Sequence, residues 1–493
     1  MPIAAARLRC AEIRRAAPVD ASALSAARVP NKGLTNPTYD LSGARETLAI
    51  ARGIGDDDAR SRTFGCSILR SDLTTRLVWL GALALLVGCA PSGELGKRHE
   101  PSHLTTPLPT PDFDAYVVAA RQYVAAANQT AGNPLPEAVI EDRGPFQLTP
   151  SGRHCHAANG KAARAALLIH DLGDTPYVMR DLAERLARDC YLVRAILLPG
   201  HGGVPGDLLT VDYRAWQEAV RLGIASLADA AREVTLVGFG LGGTLALDYA
   251  LSDQPSPVPV SALVLLAPAM AGPTSEFEAE VQRFYYALAP KAGWSSLVPG
   301  AAWPEVFADD DPVRYESLPS NAPRQGRRLI LELGRQEGAL DLPVFMAISE
   351  DDATIDADAA RRWFCTGVAG PREMLWYTGA LGESVACDFV TERTIRPNDE
   401  ALDISHIGLP IDPSNARYGR NSSYRSCLHY YWEKDAPSWF FCSDPAKTPA
   451  NSEVRYGEIS EANLSAHVMR RLTYNPDFDH LAEDLVGFLD GAR

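Results

Sequence analysis

Five continuous apolar runs constrain the architecture of this chain more than any other feature: Ala165–His170 (AALLIH), Tyr191–Leu198 (YLVRAILL), Val234–Phe239 (VTLVGF), Ala262–Ala269 (ALVLLAPA) and Pro343–Ile348 (PVFMAI). A strand with one wet face alternates polar and apolar residues, whereas one covered on both faces is apolar throughout. Helical patterns separate the first four runs, which predicts a doubly wound, mostly parallel sheet with helices on both faces. Thr175 and Pro176 are suited to cap and open one helix, with Val178, Leu182 and Leu186 as its stripe. Trp216, Val220, Gly223 and Leu227 mark the next helix, and Asn475-Pro476 opens a last one along Phe478, Leu481, Leu485 and Phe488. Phe113, Tyr116, Val117, Ala120 and Val124 form a leading helix ahead of the sheet. No internal repeat is visible.

The front of the chain differs from the rest. Leu77–Val87 (LVWLGALALLV) is eleven residues long, follows Arg76 and precedes Gly88-Cys89-Ala90. About twenty apolar residues are needed to span a bilayer, so the run reads as a signal-peptide core over 71–89. Leu86-Val87-Gly88-Cys89 resembles a bacterial lipobox, which implies a lipid-modified Cys89 and an envelope location. With Ala90 and Pro91 following, that location is the outer membrane, facing the periplasm. Residues 1–70 are rich in Ala and Arg and lack periodicity, and no Met occurs between Met1 and Met179. They read as a disordered or mis-assigned upstream extension, with translation starting near Leu73 or Val78. Residues 90–134 read as a Pro/Ser/Thr-rich tether followed by the leading helix, and 135–493 as the main domain.

Net charge is −15, made up of +4 over residues 1–89 and −19 over the remainder. Nucleic-acid binding needs clustered cations, so it is excluded as the main role. Beyond Cys89 lie Cys155, Cys190, Cys365, Cys387, Cys427 and Cys442. An oxidising compartment permits disulfides among them, with fifteen pairings and Cys427 with Cys442 the first choice. No Cys/His spacing suits a zinc site, and neither metal nor cofactor is expected.

Val234–Tyr249 (VTLVGFGLGGTLALDY) reads as strand, tight glycine turn and helix, and two motifs fit it. Gly238, Gly240 and Gly243 satisfy the GxGxxG dinucleotide fingerprint, but the next strand ends Ala267-Pro268-Ala269 without the carboxylate that would hold a ribose. The same residues form a GxSxG nucleophile elbow with Gly240 where Ser would stand. In company with LLIHDLGDTPYVMRDLAERL from Leu167, ILLPGHG from Ile196, SEDDATID from Ser349 and DISHIGLPID from Asp403, this stretch resembles the α/β-hydrolase superfamily, and within it a group of bacterial lipoprotein esterases and lipases. The resemblance covers about residues 140–490 and implies an α/β-hydrolase fold with a cap insertion.

The resemblance implies catalytic positions in the chain order Gly240, Asp352, His406, with Asp352 as acid and His406 as base. It makes the amides of Leu172 and Leu241 the oxyanion hole and His201 a loop-structuring residue. Where the group has His-Gly the chain has His170-Asp171, and a carboxylate there must turn away if the hole is to hold a substrate oxyanion. Neither Thr244 nor Ser405 is placed to replace the missing hydroxyl, although His406 with Asp352 could activate a water in the vacated space.

About seventy residues separate the fourth and fifth runs, and the resemblance makes the insertion, about 271–340, a cap. Phe277, Phe284, Tyr285, Tyr286, Leu288, Trp294 and Trp303 make it aromatic, suited either to an ester or acyl ligand or to packing a core of its own. The stretch from Tyr424 through Tyr430, Tyr431, Trp432, Trp439 and Phe440 adds a second wall. Two functions follow: a carboxylic-ester hydrolase with weak or altered activity, or a pseudo-hydrolase that binds an acyl ligand or a protein partner.

Overall fold

The computed structural model describes residues 94–492 apart from 153–154, 156–159, 253, 271–301, 337, 379–386, 395–400, 434–436 and 445–453. The expectations for 1–93, including the signal peptide and Cys89, therefore fall outside the described residues, as do those for Phe277, Phe284, Tyr285, Tyr286, Leu288 and Trp294.

Among the described residues, eight strands form one sheet in the order β1-β3-β2-β4-β5-β6-β7-β8. They are β1 (Phe146–Leu148), β2 (Arg164–Ile169), β3 (Tyr191–Ile196), β4 (Val234–Phe239), β5 (Val260–Leu266), β6 (Val344–Ser349), β7 (Arg372–Thr378) and β8 (Val390–Thr394). Only β1 runs antiparallel, pairing Phe146 with Ala195 on β3; every other neighbour is parallel. The five apolar runs supply β2 to β6. Every residue of β3, β4 and β6 is buried, as expected for strands covered on both faces.

Helices fill the connections: α1 (Phe113–Thr130), α2 (Glu137–Arg143), α3 (Arg180–Arg188), α4 (Tyr213–Ala225), α5 (Leu241–Leu251), α6 (Asn321–Leu333), α7 (Ala357–Gly367) and α8 (Phe478–Gly491). One group packs α4, α5 and α6 together and another joins α3 to α8, so both faces of the sheet are covered. In α8, Phe478, Leu481 and Leu485 are buried as the sequence predicts, and Phe488 packs partly buried against the same core. Thr175 does not cap α3. Pro176–Met179 forms a 3-10 turn first, α3 begins at Arg180, and Thr175 Oγ1 is buried without a partner. Leu227 is buried but lies beyond the end of α4.

The segment expected to be a tether lies against the domain from Arg98 onward. The Arg98 guanidinium donates to the carbonyls of Ala308 and Phe307 at 2.6 and 2.8 Å, and the Ser102 amide donates to Asp207 at 2.7 Å. The Arg98 contacts tie it to the described end of the insertion, where Trp303 packs with Ala302 and Val306 in a small cluster of its own. From the expected second wall, Tyr424 reaches the insertion by donating to Glu316 at 3.2 Å.

Cys427 and Cys442 are bonded, and so are Cys155 with Cys190 and Cys365 with Cys387. Cys427 and Cys442 are 15 residues apart, and closing a loop of that size in the unfolded chain is worth about 3 kcal/mol. Replacing both by Ala is expected to reduce stability by roughly that amount, measured by urea denaturation under oxidising conditions.

Candidate active site

The turn between β4 and α5 is a single residue. Gly240 has φ 53° and ψ −118°, a conformation that costs on the order of 1–3 kcal/mol for a residue bearing a Cβ and little for glycine. Its amide donates to Leu266 O at 2.9 Å, while its carbonyl accepts from Gly243 and Ala269 at 3.0 and 3.2 Å. Gly238 lets the helix close on the strand, since a Cβ there would strike the Gly242 backbone.

His406 and Asp352, separated by 54 residues in sequence, meet here: His406 Nδ1 lies 2.6 Å from Asp352 Oδ2. Asp352 follows β6, and its other oxygen accepts from the amides of Thr354 and Ile355 at 2.8 and 3.1 Å, which fixes the carboxylate for the imidazole. The His406 ring stacks on Phe239 at a centroid distance of 5.0 Å. Its loop is held by Glu458, which is fully buried, accepts from the His406 amide at 2.9 Å and pairs with Arg471 at 2.9 Å.

Asp171 departs from the sequence-based expectation. Its carboxylate does not turn away: an ideal Cβ built on Gly240 would overlap the Asp171 carboxyl group. Asp171 Oδ1 accepts from the Leu241 amide at 2.6 Å, and Oδ2 lies 3.2 Å from His406 Nε2. The Leu172 amide bonds to the same carboxylate. The two amides expected to receive a substrate's oxyanion thus hold a carboxylate of the protein itself. That occupancy also disfavours the dinucleotide reading of Gly238, Gly240 and Gly243, because a pyrophosphate at the start of α5 would face the Asp171 anion.

The charges follow from this geometry. Burial would lower the His406 pKa, but the carboxylates of Asp352 and Asp171 on its two sides outweigh burial and raise it to about 10. Burial would raise the Asp171 carboxyl, yet His406 and the amides of Leu241 and Leu172 hold it below the ordinary carboxylate range. Both shifts favour a charged His406 paired with a charged Asp171. One turn away, burial pushes Asp174 up to about 7 even though Arg314 Nε stands 2.8 Å from it. Arg314 also donates to Ile407 O at 3.1 Å, linking the Asp171 loop, the insertion and the His406 loop.

Other candidates are engaged elsewhere. Thr244 is buried and donates to Ala269 O at 2.6 Å, and Ser405 donates to Leu472 O. His201 is buried, with Nδ1 3.2 Å from Pro199 O, and burial holds it neutral with a pKa of about 4. His170 accepts from the Leu198 amide at 3.1 Å through Nε2. Among the described residues no His/Cys/Asp/Glu group is arranged to hold a metal ion.

Sequence reasoning did not find the part played by Asp171, nor Glu458, Asp174 and Arg314. The one available signal was that His170-Asp171 and Gly240 both depart from the same motif set, a coincidence explained by a single shared space.

The sheet order, the one-residue turn before α5 and the Asp-His pair on the loops after β6 and β8 define an α/β-hydrolase fold. Residues 160–382 match the model of the serine aminopeptidase (S33) hydrolase family. A thermostable monoacylglycerol lipase from a Bacillus species is 27% identical over 203 residues, covering 41% of this chain and 74% of that protein. Among solved structures, a monoacylglycerol lipase from Paleococcus ferrophilus is 18% identical with a TM-score of 0.37, covering 48% of this chain and 88% of its own. A soluble variant of the monoglyceride lipase from Saccharomyces cerevisiae is 14% identical with a TM-score of 0.37, covering 50% and 85%.

Proposed function

We propose that this chain is an esterase- and lipase-like α/β-hydrolase that has given up serine catalysis and keeps its binding site for a small ester or acyl ligand. The observation that carries this reading is the Asp171 carboxyl group lying where a side chain at position 240 would be, within reach of His406 and the Leu241 amide. Gly240 supplies no hydroxyl to attack a carbonyl, and an anion already fills the amide pair that would stabilise a tetrahedral intermediate. A protonated His406 also cannot accept the proton that such an attack releases. The Bacillus relative named as a monoacylglycerol lipase supports an acyl ligand for this chain as well.

The test is turnover of p-nitrophenyl butyrate by residues 90–493. The wild type is expected to stay at the buffer rate, and the double variant Asp171→Gly/Gly240→Ser to exceed it. Wild-type turnover abolished by His406→Ala would overturn the reading.

We further propose that Cys89 is lipid-modified and anchors the chain in the bacterial envelope, facing the periplasm. The lipobox-like Leu86–Cys89 after an eleven-residue apolar core supports this. In cells expressing the full chain, radiolabelled palmitate is expected on the wild type and not on Cys89→Ala; labelling of both would sink the anchor.

A further inference from the structure

We propose that a cavity walled by four arginines is a binding site for a phosphate monoester, taken by its terminal dianionic group. None of Asp171, Gly240, Asp352 and His406 lines this cavity, so the inference goes beyond the reading of that site and does not depend on it.

Two pieces of chain outside the main sheet build the cavity. β9 (Val454–Gly457) and β10 (Val468–Arg471) pair in parallel, with Tyr456 opposite Arg470. The loop carrying Arg420 and Arg425 is tied to the end of β10, where the Arg471 amide donates to Ser426 O at 3.1 Å. Arg420, Arg425, Arg470 and Arg471 line the space together with Tyr456 and Tyr474, and none of the described residues lining it is acidic.

Their partners divide these arginines into two kinds. Arg471 has a counter-ion, with its Nε 2.9 Å from Glu458 Oε1. The other three have no carboxylate partner among the described residues. Arg470 is buried, and its guanidinium donates to neutral groups alone: Cys442 O, Phe441 O at 2.7 Å and the Tyr456 hydroxyl at 2.9 Å. Arg425 directs one nitrogen at the carbonyls of Ser422 and Tyr424, while its Nε is buried with no partner. Arg420 is exposed and holds its guanidinium carbon 5.8 Å from the Tyr474 ring centroid, with no side-chain hydrogen bond among the described residues. Guanidinium charge taken out of water without a counter-ion is costly, and the chain from residue 90 onward carries a net −19. Three uncompensated cations meeting at one cavity of so acidic a chain are stabilised by an anion that enters it.

Size and charge select the anion. The cavity is about 50 Å³, and a water-sized group needs about 10–15 Å³, so it admits roughly three to five such groups, the range from a carboxylate to a phosphate. Guanidinium forks match both. Charge separates them: a phosphate monoester brings close to two negative charges at neutral pH and three acceptor oxygens, and three unpaired guanidiniums complement these better than a single carboxylate charge. The walls run from exposed Arg420 through half-buried Arg425 to buried Arg470, which places the phosphate inward and the organic group toward solvent.

The experiment is calorimetric titration of the full chain at neutral pH and low salt with phenyl phosphate, inorganic phosphate and benzoate. Phenyl phosphate is expected to saturate one site per chain, inorganic phosphate to compete for it, and benzoate to bind far more weakly. In Arg420→Gln, whose side chain has no hydrogen bond within the protein to lose, affinity for phenyl phosphate is expected to fall about tenfold. Arg221→Gln makes the same change of charge at an exposed pair with Glu218 and is expected to leave that affinity unchanged. Capture of the chain by phosphatidate vesicles, reversed by phenyl phosphate, would extend the site to a lipid-borne phosphate; no capture would confine it to soluble monoesters. A wild type that binds neither phosphate, equal affinity in wild type and Arg420→Gln, or benzoate binding as tightly as phenyl phosphate would overturn the proposal.

Discussion

Gly240→Ser alone is expected to leave ester hydrolysis at the buffer rate and to destabilise the protein, whereas Gly240→Ser combined with Asp171→Gly is expected to gain on the order of 10³-fold or more. The sign reversal comes from shared volume. A Ser Cβ at position 240 collides with the Asp171 carboxyl group, and the φ of 53° adds backbone strain. Strain of about 1–3 kcal/mol and overpacking of about 1–3 kcal/mol together predict a loss of roughly 2–6 kcal/mol for the single variant. In the double variant the space opens, the amides of Leu241 and Leu172 are released, and His406 loses one of its two carboxylates. Removing the serine from a hydrolase of this type costs about a millionfold in turnover, which sets the scale available to the reversal. Urea melts and p-nitrophenyl butyrate turnover of the four-member cycle check both halves; an active, stable Gly240→Ser single variant would show that Asp171 is free to move aside.

His406 is expected to remain an imidazolium well above neutral pH. With its pKa raised to about 10, its ¹⁵N resonances should show both ring nitrogens protonated at pH 8. In Asp171→Asn the pKa is expected to fall back toward the ordinary histidine value, since a carboxylate at 3.2 Å is replaced by a neutral amide. The same shift sets a pH dependence of stability. A histidine whose folded pKa exceeds its unfolded value of about 6.5 contributes its full stabilisation below that value and loses it as pH rises toward 10. Asp171 works oppositely: held below the ordinary carboxylate range, it stabilises above about pH 4 and loses this as pH falls through its folded value. The difference in unfolding free energy between wild type and His406→Gln should therefore shrink between pH 6.5 and 10. A constant difference across that window would mean that His406 is neutral in the native state.

Both expectations turn on a pairing that neither local pattern nor motif spacing displays. Asp171 and Leu241 are 70 residues apart, and Asp171 and His406 are 235 apart. The motif set does identify Asp352 and His406, because each sits at a fixed station after a strand and their order along the chain is preserved. It also names the amides of Leu172 and Leu241, which do converge, though on the carboxylate of Asp171. Glu458 illustrates a different blindness: an acidic residue in a polar stretch reads as solvated, yet it is fully buried, with His406 and Arg471 satisfying its carboxylate.

What the sequence by itself determined is the middle of the sheet, β2 to β6, and its elbow; β1, β7 and β8 emerged only in the structure. Continuous apolar runs demand burial on both faces, and glycines at 238 and 240 permit a turn that no other residue tolerates as well; such preferences act over a few neighbouring residues. Only the tertiary structure decided which side chain fills the space that Gly240 leaves open. That outcome depends on volume and charge contributed by three loops distant in the chain, and close packing gives an open space to whichever group reaches it with its hydrogen bonds satisfied.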